Sequence, residues 1–325
     1  MTSGARDPTL DLRCRIPPQA HGTALLDYLL ARFPYHDRTA WLTELAAGRL
    51  TVDGRTVGAR HVLRQGERLT YHKVHREPAV DAGFVVVHDD PSVVVVRKPA
   101  HLPMHADGPF VRNTLIHLLR DHLQARDLHL VHRLDRETSG LCVLARSAAT
   151  RDALRVQFAA GPVRKAYLAL VRGLATGDFV VDLPVGRSAE SAVSLRRACG
   201  PTAIAAKPAR TSFHVLARGP ERTLLRCEPI TGRTHQIRVH LEAAGLPLLG
   251  DKLYGRSDAD YLAFVAHVKA GGSALDAPIG EPGRQLLHAS ELAFDHPGSA
   301  ERLEFSDPAP PEFSTWLTGR GPQQP

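Results

Sequence analysis

The segment HRLDRETSGLCVLAR, residues 132–146, places a carboxylate between two arginines directly before an apolar run. Thr138-Ser139-Gly140 is a combination typical of turns, and GLCVLAR is typical of a buried strand. Asp135 therefore lies in the loop that leads into this strand, and the sheet fixes one end of that loop. A carboxylate held in this way is a candidate for a reactive group.

The composition indicates a globular protein with a basic surface. The 325 residues are 43% hydrophobic and 23% charged, which is sufficient for one large domain or two smaller domains with a core. The net charge of +7 favours a polyanionic partner. Four cysteines without a C-x-x-C pair predict reduced thiols, and no apolar run reaches the roughly 18 residues of a membrane span. We expect a monomeric, cytoplasmic protein that does not bind membranes.

Residues 21–79 have the pattern of a small α/β module. LLDYLLARF and the apolar positions around Trp41 predict two short helices. Asp53-Gly54 between short apolar runs predicts a hairpin, and GERLTYHK predicts a further strand. Residues 1–20 are expected to form an extended lead-in to this module.

The second half of this module is basic. Between residues 46 and 77, seven basic residues stand against three acidic ones. This pattern fits either an ordinary solvated face or a surface that contacts RNA phosphates, for which Arg49 and Arg55 are the candidate residues. The order of elements resembles the alpha-L RNA-binding module of a ribosomal small-subunit protein, and the resemblance implies RNA binding.

Residues 80–315 predict a larger α+β domain with a mixed, mainly antiparallel sheet. Consecutive strand candidates joined by short turns favour antiparallel pairing over βαβ units. Residues 256–284 are expected to be an insertion, and residues 316–325 a tail. The strand candidates are Val85–Val87, Val93–Val96, Leu141–Ala145, Lys165–Val171, Thr211–Ala217 and Arg222–Glu228. The helix candidates are Thr114–Gln124, Ala148–Ala159, Thr234–Ala244 and Tyr261–Lys269.

Several kinds of chemistry lack their usual motifs. The sequence contains no G-x-x-x-x-G-K-[ST], no G-x-G-x-x-G after a strand, no G-x-S-x-G and no H-E-x-x-H. His101 and His105 have the i, i+4 spacing of a helical metal site, but Pro103 between them argues against the helix. We therefore predict no metal site and no small-molecule cofactor.

A second polar cluster, TGRTHQIRVHL at residues 231–241, enters a predicted helix near Thr234. A helix N-terminus and an arginine together favour an anion, either a phosphate or a carboxylate that is to remain ionised. If Arg233 faces Asp135, the carboxylate has a lowered pKa and is prepared to act as a nucleophile or a base. Ordinary loop ion pairs explain both clusters equally well.

Five motifs in order resemble the RluA family of RNA pseudouridine synthases over about residues 82–300. These are HRLDRETSGL, GPVRKAYLALVRG at 161–173, TGRTHQIRVHL, GDKLYG at 250–255 and LLHASELAFDHP at 286–297. The resemblance implies a central RNA-binding cleft in which uridine is isomerised to pseudouridine without metal, redox cofactor or energy donor. It also implies a structured RNA as partner, either ribosomal or transfer RNA.

The resemblance also implies roles for single residues. Asp135 corresponds to the catalytic aspartate, which acts on the ribose as nucleophile or as the base that starts elimination to a glycal. Tyr167 corresponds to the ring that packs against the target base and assists proton removal afterwards, and Arg233 to the arginine that keeps the aspartate ionised. Arg133 fits a side chain that enters the RNA stack when the nucleotide flips out. The further candidates for RNA contact or loop support are Arg136, Gln236 and Arg238.

Some features leave the substrate open. His101, residues 185–206 and the 256–284 segment depart from the family pattern, and none of them is in the Asp135, Tyr167 or Arg233 motifs. A noncatalytic RNA-binding or ribosome-assembly protein is the main alternative, although binding alone does not require these three residues together. Aspartate-based hydrolysis is the third, and it lacks the usual second carboxylate or metal cluster.

Overall fold

A computed structural model describes residues 9–75, 77–270, 272 and 281–319. The chain divides into two compact units, Met1–Glu77 and Pro78–Pro325, called here the N-terminal and C-terminal units. The division lies two residues before the predicted boundary. Parts of the predicted lead-in, insertion and tail lie outside the described residues.

The N-terminal unit packs two short helices on a four-stranded antiparallel sheet with the order β1-β4-β2-β3. The second half of the predicted extended lead-in belongs to this unit, because the extended strand β1 pairs along its whole length with β4. The elements are β1 (Thr9–Arg15), a 3₁₀ turn (Pro18–Ala20), α1 (Leu25–Arg32), α2 (Arg38–Ala46), β2 (Leu50–Val52), β3 (Arg55–Thr56) and β4 (Arg68–Val74).

Apolar residues from both helices and the sheet form the core of this unit. Trp41, Leu25 and Leu50 have no exposed surface. The predicted hairpin turn is present, since Asp53 and Gly54 have φ values of 46° and 79°. Two successive left-handed residues match the twist of the flanking strands.

The C-terminal unit contains the larger sheet and most of the helices. Its helices are α3 (Leu115–His122), α4 (Ala148–Ala160), α5 (Gln236–Ala243), α6 (Asp258–Lys269) and α7 (Pro311–Leu317), with a 3₁₀ turn at Gly200–Thr202. Its strands are β5 (Val85–Asp89), β6 (Val93–Lys98), β7 (His129–Leu130), β8 (Ser139–Ala145), β9 (Arg164–Arg172), β10 (Phe179–Asp182), β11 (Val185–Ser188), β12 (Arg197–Cys199), β13 (Ala203–Lys207), β14 (Arg210–Arg218), β15 (Arg222–Pro229), β16 (Leu287–Asp295) and β17 (Arg302–Ser306).

The strands of the C-terminal unit form two sheets. The main path of the ten-stranded sheet has the order β10-β14-β15-β9-β16-β8-β6-β5, with β17 beside β16 and β7 beside β8. A separate three-stranded sheet has the order β12-β11-β13. Within the described residues β8 and β16 pair in parallel, while the other pairs are antiparallel. The predicted α+β fold with a mainly antiparallel sheet is confirmed.

The parallel contact between β8 and β16 depends on Gly140. Its φ is +107°, and a Cβ atom at this position would lie 2.2 Å from the carbonyl oxygen of Ala289. Only glycine combines this backbone conformation with so close an approach. The Ser-Gly pair that sequence reasoning assigned to a turn is therefore the first part of the strand itself, directly after the Asp135 loop.

The end of the chain is packed where it was predicted to be a tail. Trp316 on α7 is 7% exposed and clusters with Phe313, Leu170 and Leu286. The predicted tail from residue 316 is wrong at its start, because the apolar face of α7 extends to this residue. No helix in the described residues combines the length and apolar character needed to cross a bilayer.

Candidate active site

The Asp135 loop joins β7 to β8 and is tied down on both sides. The amide of Thr138 donates to the carbonyl oxygen of Asp135 at 3.1 Å, which closes a turn. The fully buried Nζ of Lys98 donates to the carbonyl oxygen of Arg136 at 3.0 Å. From the other side, the Nζ of Lys252 lies 2.6 Å from the carboxylate of Glu137. The backbone around Asp135 is therefore fixed by the surrounding fold.

The ion-pair partner of Asp135 is Arg238. Its Nη1 atom donates to the Oδ2 atom of Asp135 at 2.8 Å. The prediction that Arg233 fills this position is wrong, because the Nε of Arg233 donates to the carbonyl oxygen of Pro208 at 3.1 Å and its side chain is exposed. Arg238, predicted to contact RNA or to support the loop, is 8% exposed and binds two carboxylates of the protein.

The residue at which α5 begins explains why Arg238, and not Arg233, pairs with Asp135. The helix begins at Gln236 rather than at Thr234, and His235 before it has a left-handed φ of 59°. Arg233 therefore belongs to the preceding turn, whereas Arg238 lies in the first turn of the helix. Residues 236–241 are all buried, so the side chain of Arg238 is held inside the protein.

A second carboxylate holds Arg238 in place. Asp251 accepts from the Nε and Nη2 atoms of Arg238 at 2.7 and 2.9 Å. The same carboxylate accepts from the backbone amides of Leu253 and Tyr254 at 2.8 and 3.0 Å. Two of the three guanidinium nitrogens thus bind Asp251, and the third is available for Asp135. The side chain of Asp251 has no exposed surface and cannot reach a substrate.

Tyr254 and His235 complete this arrangement. The ring of Tyr254 lies 4.8 Å from the guanidinium carbon of Arg238. Its hydroxyl accepts from the backbone amide of Arg197 at 3.0 Å and lies 2.9 Å from the Nδ1 of His235. Because the buried hydroxyl needs an acceptor for its own proton, it donates to Nδ1. The Nε2 atom of His235 then carries the hydrogen, 3.9 Å from the Oδ1 atom of Asp135.

These contacts keep Asp135 ionised. Burial of the carboxyl favours its neutral form, but two groups outweigh burial and lower the pKa of Asp135 to about 2. These are His235, which is protonated only in the acid range where Asp135 titrates, and Arg238, which contributes both its charge and a hydrogen bond. Burial also lowers the pKa of His235 to about 4. The imidazole is therefore neutral near pH 7, and Arg238 supplies the charge that holds Asp135 as a carboxylate.

One cleft cavity of about 120 Å³ brings the predicted catalytic residues together. Asp135, Tyr167 and Arg233 all line it, as do His235 and Lys165. Burial, with Asp135 as a further cause, raises the pKa of Tyr167 well above its usual range, so the phenol is neutral. The cleft thus offers a carboxylate, a neutral aromatic ring and basic side chains around a small volume.

The remaining predicted RNA contacts of the C-terminal unit differ in their environments. Arg133 is exposed and lines the cleft cavity. Arg136 lies 3.3 Å from Glu137 and 5.8 Å from the ring of Phe110, outside the cavity lining. Gln236 is 4% exposed, and both ends of its amide are bonded within the protein. Of the two predicted roles, RNA contact or loop support, these bonds favour loop support for Gln236.

In the N-terminal unit, the two predicted RNA contacts also differ. Arg49 binds both carboxylate oxygens of Glu44, at 2.6 and 2.7 Å. Arg55 is exposed in the hairpin. Of the two, Arg55 is the side chain that remains accessible for a phosphate.

Sequence reasoning missed Asp251, Tyr254 and His235. Asp251 and Tyr254 lie in the quoted GDKLYG motif and His235 in TGRTHQIRVHL, but no role was assigned to them. The available signal was an aspartate one glycine after the apolar pair Leu248-Leu249, since a carboxylate at a buried position requires a charged partner. Among the described residues, no group of three or more His, Cys, Asp or Glu side chains has a metal-binding arrangement.

Comparison with known proteins identifies the family. Residues 92–243 match the RNA pseudouridylate synthase family model. An uncharacterised RNA pseudouridine synthase of Synechocystis sp. is 32% identical over 90% of this chain and 96% of that protein. Ribosomal large subunit pseudouridine synthase D of Pseudomonas aeruginosa is 32% identical over 91% of each chain. The chain belongs to the RluA family of RNA pseudouridine synthases.

Solved structures of pseudouridine synthases share this fold. Human RNA pseudouridylate synthase domain containing 1 matches 72% of this chain and 86% of that chain, with 27% identity and a TM-score of 0.55. Human RNA pseudouridylate synthase domain containing 4 matches 72% and 92%, with 28% identity and a TM-score of 0.54. The protein is accordingly an isomerase that acts on RNA, as predicted, and the Asp135 cleft lies in a pseudouridine synthase fold.

Proposed function

We propose that this pseudouridine synthase modifies uridine in the RNA of the large ribosomal subunit. Support comes from relatives named ribosomal large subunit pseudouridine synthase D in Pseudomonas aeruginosa, Nitrosomonas europaea and Xanthomonas campestris. The chain covers 91% of the first of these proteins and 92% of the third. Agreement over nearly the whole length of these two relatives favours large-subunit ribosomal RNA over transfer RNA as the substrate.

The observation that carries the proposed mechanism is the Asp135 carboxylate, held by Arg238 in the cleft. During the isomerisation the bond from N1 of uracil to the ribose C1′ breaks, and a bond from C5 to C1′ forms. The proton on C5 leaves, and N1 gains a proton. Asp135 acts on the ribose, either by attack on C1′ or by removal of the C2′ proton. An ionised carboxylate is required for both routes.

The other side chains of the cleft hold the base. Tyr167 packs against the uracil while it is detached and rotates, and its phenol is neutral near pH 7 because burial raises its pKa. Arg133 enters the RNA stack in the place of the flipped nucleotide, since its side chain is exposed at the cleft. Enclosure of the base limits the capture of the activated sugar by water.

The N-terminal unit increases the affinity for RNA by binding phosphates. Its support is the excess of basic over acidic residues between positions 46 and 77, and the exposed Arg55 on the hairpin. Such binding raises the local concentration of RNA without reading sequence.

Mapping of pseudouridine in total RNA from cells with and without the gene tests the substrate assignment. We expect one or more positions in large-subunit RNA to lose pseudouridine when the gene is deleted, and to regain it with the wild-type gene. Loss confined to transfer RNA, with all large-subunit positions retained, would contradict the proposal.

A further inference from the structure

A second cavity of about 350 Å³ adjoins the cleft on the side of the three-stranded sheet β12-β11-β13. Its lining contains four basic residues, Arg187, Arg197, Lys207 and Arg233. None of the described residues that line it is acidic. These four side chains are called here the basic groove.

The basic groove is continuous with the cleft. Gly232, Arg233 and Thr234 line both cavities. Arg233 therefore lines both the cleft that contains Asp135 and the groove. A chain that enters the cleft on this side passes the four cations.

The strand register places two of these cations opposite each other. Arg187 on β11 is the direct cross-strand partner of Arg197 on β12. Like charges at directly opposed positions destabilise a sheet. A bound anion removes this repulsion. Anion binding at this position therefore explains why two arginines lie opposite each other.

Within the described residues, no carboxylate is found that neutralises these cations. The Nη1 of Arg197 lies 3.3 Å from the carbonyl oxygen of Ser194, and the Nε of Arg233 lies 3.1 Å from that of Pro208. Neither is a carboxylate. Within the described residues, no ion pair is found for Arg187 or Lys207, and both side chains are exposed.

The backbone of the small sheet is built around an irregularity at this point. The register between β11 and β13 shifts between Val185 and Arg187, and Ala205 has a left-handed φ of 51°. A Cβ atom on Gly186 would lie 2.4 Å from the carbonyl oxygen of Ile204, so only glycine permits the close approach of the strands. Bulges of this kind change the direction of neighbouring side chains and recur beside functional sites.

We propose that the basic groove binds the phosphodiester backbone of the substrate RNA next to the flipped uridine. The inference rests on the proposed function and adds a binding site outside the Asp135 cleft. Phosphate is the anion that four arginine and lysine side chains along a groove recognise without sequence preference. Three of the four groove residues lie within residues 185–207, largely the segment that departs from the family pattern, and the groove therefore contributes to the choice of RNA.

The test compares variants of the full-length enzyme on a stem-loop of large-subunit RNA that contains a uridine mapped as a substrate. The double variant Arg187→Gln/Lys207→Gln removes two groove charges. The matched control, Arg126→Gln/Arg155→Gln, removes two exposed charges that line neither cavity. A third variant, Arg187→Lys/Lys207→Arg, keeps the charges and tests whether the groove residues act through charge.

We expect the double groove variant to bind RNA about tenfold more weakly, with a similar increase in KM and little change in kcat. The slope of log K against log salt should decrease by about 1 to 2, since each lost phosphate contact removes about 0.7 to 0.9. The control and the charge-preserving variant should match the wild type. Equal affinity and salt slope in the groove variant and the wild type would overturn the inference.

Two further measurements distinguish this inference from binding of a free anion and from a failure of the proposed function. Inorganic phosphate is added to the wild type and the groove variant, and thermal unfolding is followed. Stabilisation of the wild type alone, together with unchanged RNA affinity of the variant, would assign the groove to a free anion and overturn the RNA assignment. Pseudouridine formation by the wild type is measured in parallel. Its absence overturns the proposed function, whereas its presence with an unaffected groove variant overturns only the groove.

Discussion

The Nη1 atom of Arg238 donates a hydrogen bond of 2.8 Å to the Oδ2 atom of Asp135, across 103 residues of sequence. The remaining guanidinium nitrogens bind the buried Asp251. One arginine thus connects the carboxylate that faces the cleft with a carboxylate that cannot reach it. The planar guanidinium can bind both at once because its donors have a fixed geometry.

Replacing the two arginines in turn distinguishes their roles. A lysine at position 238 keeps the charge but cannot bridge both carboxylates, so we expect Arg238→Lys to lower kcat. Loss of a hydrogen bond to a charged group is worth about 1.5–3 kcal/mol, or about 10- to 150-fold. Arg233→Lys should keep kcat within about threefold. Single-turnover pseudouridine formation measures the effect of both substitutions. A larger loss of rate in Arg233→Lys than in Arg238→Lys would show that Arg233 is the ion-pair partner of Asp135.

Asp251 should act by position and not through the pKa of Asp135. Asp251→Asn removes a negative charge near Asp135, so the pKa of Asp135 should remain low while Arg238 loses its anchor. We expect kcat to decrease about tenfold or more, as for other buried charged hydrogen bonds. The pH profile of kcat should keep its shape above pH 5. A displaced acid limb in this variant would show that Asp251 acts on ionisation instead.

Acid sensitivity of the fold should depend partly on His132, which precedes the catalytic loop. Its Nε2 accepts from the amide of Val143 at 3.1 Å, and burial lowers its pKa to about 3. The unfolded chain takes up this proton near pH 6.5, whereas the folded protein does not until about pH 3. Stability should therefore be full above pH 6.5 and fall by up to about 1.4 kcal/mol for each unit below it.

The variant His132→Gln keeps an acceptor for Val143 but cannot be protonated. We expect it to be less stable than the wild type at pH 7.5, and the difference to shrink by pH 5. Urea unfolding at both pH values measures the effect, and the other histidines cancel in the comparison. A difference that is constant with pH would show that His132 does not contribute to acid sensitivity.

The contact between β8 and β16 can be tested at Gly140. Gly140→Ala places a Cβ atom against the carbonyl oxygen of Ala289, whereas Gly161 has a similar φ of +112° with nothing within 4 Å of an added Cβ. Both substitutions cost about 1–2 kcal/mol for the left-handed backbone. The crowding at Gly140 should add about 1–3 kcal/mol in urea unfolding. Equal losses at the two positions would show that the strands can separate to accept the methyl group.

Local patterns in the sequence were sufficient for most secondary structure in the C-terminal unit. Runs of β-branched residues predicted β5 and β6, an apolar run predicted β8, and leucine spacing predicted α3 and α4, each with small differences at the ends. Such patterns depend on residues that are close in sequence, so they predict secondary structure without knowledge of the tertiary fold. The β1 strand was missed because its partner β4 lies more than fifty residues away, and β1 itself carries alternating charges that are also typical of an extended tail.

The candidate site was predicted in its residues but not in its contacts. The motifs placed Asp135 and Tyr167 in one cleft, which the structure shows, while the partner of the carboxylate depended on where α5 begins. A difference of two residues in the helix start decides whether Arg233 or Arg238 faces Asp135. Helix ends are set by backbone contacts such as the left-handed His235, and sequence patterns specify them poorly.

The most direct measurement is pseudouridine formation by Asp135→Asn on a large-subunit RNA that the wild type modifies. Asparagine keeps the shape of the side chain but can neither attack C1′ nor remove a proton from C2′. We expect no pseudouridine above background, with RNA affinity within about threefold of wild type and an unchanged salt slope, since the phosphate contacts lie elsewhere. Product formation at a rate near that of the wild type would contradict the assignment of Asp135 as the catalytic residue.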